Sequence, residues 1–319
     1  MDNLTHSLVG ALLGQAGLKK KTGLAMPALI VGANLPDVDA ACFLWLEGIE
    51  HVGFRRGITH GPIAWVLLPL ILAGLLWGYD RWQAGRGKRP EGRLPVSFKW
   101  LYLLSFIGCL THPALDWLNT YGIRLLEPFS SQWFYGDTLF IIDVWLWALM
   151  GFATWLSLRR ERQGGNSTRP ARIAIAVVLA YIGGNWLISE YRRDMARLHE
   201  PYPVAAIASP RPLAFWQREI IAKIEDGRWI STDWSGANLG FGYRDTSADR
   251  CRNPSARDIS SGGSQARAFL FWSRAPFAER APDGSIVLRD ARFYDPRARA
   301  RFSVALPDVK CQPLSSSSP

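Results

Sequence analysis

Residues Trp100–Gly122 read WLYLLSFIGCLTHPALDWLNTYG. The first ten are an apolar run suited to a bilayer, but the run closes on His112 and Asp116. Residues four apart share one face of a helix, so this pair can converge on one ion or on two adjacent ones. Pro113, between them, lacks a backbone donor; this frees a carbonyl and bends the chain near the pair. Ionisable groups at membrane depth are costly and tend to be functional. The fold therefore turns on whether the rest of the chain supplies more membrane runs and more donors.

It supplies both. The 319 residues are 48% hydrophobic with 15 Trp, and they divide into two unlike halves. Long apolar runs fill residues 1–190: Leu24–Leu46 (interrupted by NLPDVD), Pro62–Tyr79, Trp100–Leu118, Leu139–Leu158 and Ile173–Ser189. Each is near the roughly 20 residues needed to cross a bilayer. Leu4–Leu18 is short and Gly-rich, and it lacks the basic start and cleavage site of a signal peptide, so it is expected to be retained. The chain beyond residue 200 is polar, Arg-rich and turn-rich. Its pieces RAFLFWSRAPF (267–277) and SIVLRDARFYD (285–295) alternate as strands do. The expected fold is mainly α: a multi-helix integral membrane domain over 1–190 that carries a metal site, a linker over 191–202, and a small mainly β soluble domain over 203–314. Residues 315–319 (SSSSP) are expected to be a disordered tail.

A net charge of +10 invites a nucleic-acid reading, but the distribution argues against it. Lys19–Lys21, Arg81–Lys99 and Arg159–Arg172 are short loops between apolar runs, where the positive-inside bias is read. With all three in the cytoplasm the topology alternates consistently. The N-terminus, Asn34–His60, Asp116–Thr138 and the C-terminal domain then lie outside. The expected location is a bacterial inner membrane, crossed several times, with the C-terminal domain extracytoplasmic. Cys42 and Cys109 fall in apolar runs and read as small buried hydrophobes. Cys251 and Cys311 are free to pair if their domain faces an oxidising compartment.

Three of the five histidines sit in the same dipeptide: Thr5-His6, Thr59-His60 and Thr111-His112. The charge-based topology, drawn without them, brings His6, His60, His112, Asp37, Asp39 and Asp116 to one face of the membrane. Imidazole and carboxylate together suit Zn²⁺, Mn²⁺ or Fe²⁺ better than the all-oxygen ions. So many donors exceed one closed tetrahedral site, which points to two ions or to one with an open position. Arg55 and Arg56, just before GITH, stand at the same mouth and are suited to hold a phosphate. His51 and His199 lack the Thr-His context and are set aside.

In this order, MDNLTHSLVGALLGQAG, NLPDVD, RRGITHG and THPALDWLNTYG resemble a family of membrane-bound metal-dependent hydrolases. Some of its members are labelled inner-membrane-associated and LexA-binding. Many relatives carry His-Arg-Gly where this chain has Arg55-Arg56-Gly57. The order of donors is also similar to that of the zinc-dependent phospholipase C and single-strand nuclease superfamily. That likeness implies His6 as a ligand of one zinc, Asp37, His60 and His112 as ligands of another, and Asp116 as the bridge. A third metal of that superfamily is not expected, because no histidine lies between His112 and His199.

The resemblance implies hydrolysis of a phosphate ester. Asp37 or Asp39 would take the proton of water, and Arg55 and Arg56 would hold the anion. A site at the outer interface favours a membrane lipid or lipid-linked substrate; no nucleic-acid partner is expected, and no protein partner of the C-terminal domain is indicated. Two other classes fit the same residues: an ion-coupled transporter, and a non-catalytic scaffold with a structural metal.

Overall fold

A computed structural model describes residues 1–198, 202–233, 243–245, 250–255, 258–259, 262–296 and 298–313. His199 and the 315–319 tail lie outside the described residues. The chain forms two compact units: residues 1–39, 56–187 and 212–215 in one, and 40–55, 188–211 and 216–319 in the other.

The first unit is helical. Its elements are α1 (Asn3–Gln15), α2 (Ala25–Asn34), α4 (Pro62–Gly85), α5 (Phe98–Trp117), α6 (Val144–Arg162) and the larger part of α7 (Thr168–Arg197); α3 (His51–Phe54) is a single turn in the other unit. Among the described residues, three helices are long and apolar enough to cross a membrane: Ala25–Leu44, Pro62–Gly85 and Thr168–Arg197. Helix α4 leaves Val66, Leu67, Leu70, Ile71 and Leu75 exposed, as a lipid-facing helix would. The other two expected spans form as helices α5 and α6. Their apolar runs are diluted by Lys99, His112 and Asp116 and by Arg159, Arg160 and Arg162.

Helices α1, α2 and α5 meet at backbone distance, and glycine makes this possible. A Cβ on Gly108 of α5 would lie 2.6 Å from the Leu29 carbonyl oxygen, and one on Gly32 of α2 would lie 2.8 Å from that of Ser105. One on Gly10 of α1 would lie 2.7 Å from the Leu29 oxygen. Small residues at such crossings are the usual route to close packing between membrane helices. Leu29, Leu101 and Leu104 seal the α2–α5 side, and Leu12, Leu146 and Met150 pack between α1 and α6.

The second unit carries two four-stranded antiparallel sheets, each in simple sequential order: β1 (Ala205–Pro210), β2 (Arg218–Lys223), β3 (Trp229–Asp233), β4 (Tyr243–Asp245), then β5 (Arg250–Cys251), β6 (Pro276–Arg280), β7 (Ser285–Asp290) and β8 (Ser303–Lys310). Ile207, Ile221 and Trp229 of the first sheet share a core with Phe277 of the second. A disulfide joins Cys251 to Cys311, with Cα atoms 5.2 Å apart, while Cys42 and Cys109 are free and buried.

One strand expectation needs correcting. RAFLFW belongs to helix α8 (Gly263–Trp272), and only Pro276–Arg280 of RAFLFWSRAPF and its continuation is strand. Ala266, Phe269 and Trp272 are buried at helical spacing, and Trp272 stacks on Phe293 and Phe302. The aromatic run was compatible with either period, and burial along i, i+3, i+6 decided for the helix.

Candidate metal centre

Four segments of the helical unit deliver the polar residues. Asp2 caps α1 by accepting from Leu4 and Thr5 backbone N–H groups (3.0 and 3.1 Å), which starts the helix where His6 is buried on its first turn. After α2 the chain tightens into a 3₁₀ helix, Leu35–Leu44, which presents Asp37 and Asp39. A second short 3₁₀ turn, Ile58–His60, buries His60. Helix α5 runs through Pro113 to Trp117 and buries His112 and Asp116 one turn apart. Leu118, just beyond it, is tied by its carbonyl to Thr138 and Leu139 N–H groups (2.7 and 2.9 Å).

These side chains converge. His112 Nε2 stands 3.5 Å from Asp116 Oδ2 and 3.7 Å from Asp37 Oδ1. His60 Nε2 is 3.6 Å from Asp116 Oδ2, and His6 Nε2 is 3.5 Å from Asp116 Oδ1. The His6 and His112 rings stack with centroids 3.7 Å apart. Two overlapping groups, His6–His112–Asp116 and Asp37–His60–His112, have ligand atoms close enough to share an ion.

The spacing tests whether a metal fits. With metal–ligand bonds of about 2.0–2.2 Å, the corners of a tetrahedron stand roughly 3.3–3.6 Å apart. The separations here are longer than hydrogen bonds and close to that edge length. Both ring nitrogens of His6 and Nε2 of His112 are buried without a hydrogen-bond partner among the described residues. Buried polar atoms left so are costly, and a cation would satisfy the lone-pair nitrogen of each ring, leaving the N–H of His6 without a partner among the described residues. His112 Nδ1 lies 2.7 Å from the Ala33 carbonyl oxygen, so it carries the proton and leaves Nε2 as the lone pair. That is the outer hydrogen bond expected of a metal-ligating histidine. With one free nitrogen, His112 can serve only one of the two groups at a time. Asp116 belongs to the His6 group, while its Oδ2 also stands beside His60 and His112. The His6 side is less built: the Met1 ammonium pairs with Asp116 Oδ1.

The structure thus gathers His6, Asp37, His60, His112 and Asp116, and it adds Asp39 and Arg56 to their surroundings. Asp39 Oδ2 accepts from the Arg56 N–H (2.7 Å) and from the Thr59 hydroxyl (3.2 Å). Arg56 is buried with φ of 57°, a left-handed conformation that costs a non-glycine residue about 1–2 kcal/mol. Its guanidinium holds that turn in place, donating from Nη1 to Asn119 Oδ1 (3.1 Å) and the Gly122 carbonyl (3.3 Å), with Nε 3.1 Å from Asp116 Oδ2. Arg55 falls in the other unit, where its guanidinium lies 5.7 Å from the Phe43 ring centroid. His51 is also there, with Nδ1 3.0 Å from the Gly48 carbonyl oxygen. Sequence reasoning missed Asp2, Thr59, Asn119 and the Ala33 carbonyl. Asp2 was open to detection as an acidic residue just before an apolar helix; a backbone carbonyl leaves no signal at all.

No solved structure matches this chain. It is 27% identical over 141 residues to the uncharacterized protein YfhP of Bacillus subtilis (strain 168). That alignment covers 42% of this chain and 39% of the relative, so the chain spans well under two thirds of YfhP. The stretch holding all the donors, residues 1–191, matches the YdjM inner membrane protein family, and the chain belongs to that family.

Proposed function

We propose that this protein is a metal-dependent hydrolase of the inner membrane that cleaves a phosphate ester in a lipid or lipid-linked substrate. The observation that carries the reading is the cluster of three buried imidazoles, His6, His60 and His112, with buried Asp116 and half-buried Asp37, at ion-binding spacing. A divalent transition ion such as Zn²⁺, Mn²⁺ or Fe²⁺, when bound there, supplies Lewis acidity, which acidifies water and neutralises phosphoryl oxygens. Asp37, His60, His112 and Asp116 would hold the first ion, and His6 with the other oxygen of Asp116 would contribute to a second.

The protein's own residues supply the rest. Asp37, less buried than the other carboxylates, is the acceptor we assign to the proton of the attacking water. Asp39 already binds Arg56 and Thr59, so its part is to hold the His60 turn. Of the two arginines, we assign the fixed positive charge facing the substrate to Arg56. Leu4, Val38, Ile58 and Trp117 are exposed apolar residues within two positions of a donor, which favours a substrate with an apolar portion.

The test is metal analysis of protein purified in detergent, followed by a panel of lipid phosphodiesters and phosphomonoesters. About one to two transition ions per chain are expected, with turnover that stops on chelation. His112→Ala should bring metal to background, whereas His6→Ala should keep the first ion. Wild-type protein without metal, or full turnover by His112→Ala, would overturn the reading. Metal that raises thermal stability while no ester is cleaved would instead support the scaffold.

A further inference from the structure

We propose that Thr59 is a positioning residue of the metal centre, whose hydroxyl fixes the tautomer of His60 and so presents Nε2 as a lone pair. The inference rests on the metal reading of this cluster. Thr59 Oγ1 lies 2.9 Å from His60 Nδ1 and 3.2 Å from Asp39 Oδ2. The same Asp39 oxygen takes the Arg56 N–H at 2.7 Å.

The direction of these bonds follows from what each group can do. An ionised carboxylate only accepts, so the hydroxyl facing it donates. A hydroxyl has one proton, and once that proton is given to Asp39 the oxygen can only accept from His60. Nδ1 therefore carries the hydrogen, and Nε2, which faces Asp116 Oδ2 at 3.6 Å, is left with its lone pair. For His112 the Ala33 carbonyl does the same work at 2.7 Å.

The three Thr-His dipeptides consequently have different roles. Thr5 Oγ1 donates to the capping Asp2 Oδ2 (2.6 Å), and Thr111 Oγ1 bonds back to the Gly108 carbonyl within α5 (2.6 Å). Among the described residues, Thr59 is the one of the three bonded to the ring of its own histidine. It also draws Asp39 into the centre as an orienting group, since outer partners of this kind set ring orientation and ligand basicity.

The experiment is ¹⁵N NMR of histidine-labelled, metal-free full-length protein in detergent micelles, combined with Zn²⁺ affinity by chelator competition. The wild type should show His60 protonated at Nδ1 and bare at Nε2. Thr59→Val should lose that single tautomer and bind Zn²⁺ about 10–100-fold more weakly. Thr59→Ser, which keeps the hydroxyl, should restore both. A wild-type His60 protonated at Nε2, or Thr59→Val with unchanged tautomer and affinity, would overturn the proposal. The wild-type spectrum decides even if Thr59→Val does not fold. The two readings also fail separately. The expected tautomer in a protein that binds no Zn²⁺ removes the metal centre but leaves the hydrogen-bond relay. Tight Zn²⁺ binding with the opposite tautomer removes the role of Thr59 alone.

Discussion

One buried carboxylate shows what a complete set of partners looks like. Asp290, in the β-rich unit, is satisfied from its own neighbourhood: Oδ2 accepts from Ser273 Oγ (2.6 Å) and Arg292 Nη2 (2.7 Å), and Oδ1 accepts from Arg292 N and Nε (both 2.9 Å). Asp116 pairs with the Met1 ammonium and with Arg56 Nε (3.1 Å), and it also stands among three imidazoles that cannot all donate to it, an arrangement suited to a cation. Asp290 also yields a pH prediction. Burial pushes its pKa up, but the Arg292 charge with the Arg292 and Ser273 hydrogen bonds outweighs burial and holds the carboxyl below its usual value. A depressed folded pKa means the stabilisation is fully present above about pH 4, the unfolded value, and is lost as pH falls through the native one. Acid titration of the full-length protein, followed by tryptophan fluorescence of the β-rich unit, should show this loss. Asp290→Asn should cost about 3–5 kcal/mol at neutral pH by leaving Arg292 uncompensated, and should flatten the slope below pH 4. Parallel slopes in the two proteins would assign the acid sensitivity elsewhere.

Helix packing decides whether the donors meet. The α2–α5 crossing puts the Ala33 carbonyl on His112, and it does so because Gly108, one turn before His112, has no side chain. A Cβ there would also lie 3.0 Å from the Ala33 backbone nitrogen, and neither neighbour is a side chain that can swing away. Gly108→Ala should therefore destabilise the helical unit by about 1–3 kcal/mol and weaken metal binding with it. Gly74→Ala in α4 is the control, because nothing lies within 4 Å of its Cβ position. It should be neutral or stabilising by up to about 1 kcal/mol in thermal unfolding. Equal loss in both variants would show a general response to added helix bulk. The donors could be read from the sequence because Thr-His recurs and His112 and Asp116 are four apart. The glycine contacts, Thr59 and Ala33 could not, since their roles arise only where helices distant in sequence touch. The same limit applies to Arg55 and Arg56. Adjacency suggested a pair, but the left-handed turn at Arg56 commits its guanidinium to Asn119 and Gly122, whereas Arg55 falls in the other unit.

At the scale of the whole chain, apolar runs marked the helices, and alternation in pieces such as residues 285–295 marked the antiparallel region. Apolar runs are long-range features of a sequence and do not depend on packing detail. The sidedness of the membrane rests on two independent signals. Basic residues gather at Lys19–Lys21, Arg81–Lys99 and Arg159–Arg172, and the Cys251–Cys311 disulfide needs an oxidising compartment. Both predict a C-terminal unit outside the cytoplasm. Alkaline phosphatase fused after residue 250 should thus be active, and fusions at residues 90 and 165 inactive. The disulfide closes a loop with a sequence separation of 60, which by chain entropy stabilises the native state by about 4 kcal/mol. Reductant, or Cys251→Ser with Cys311→Ser, should therefore lower the melting temperature of the β-rich unit while the metal content of the helical unit stays unchanged, since every donor lies in residues 1–39 and 56–187. An active fusion at residue 165, or a C-terminal unit whose stability ignores reductant, would require the opposite orientation.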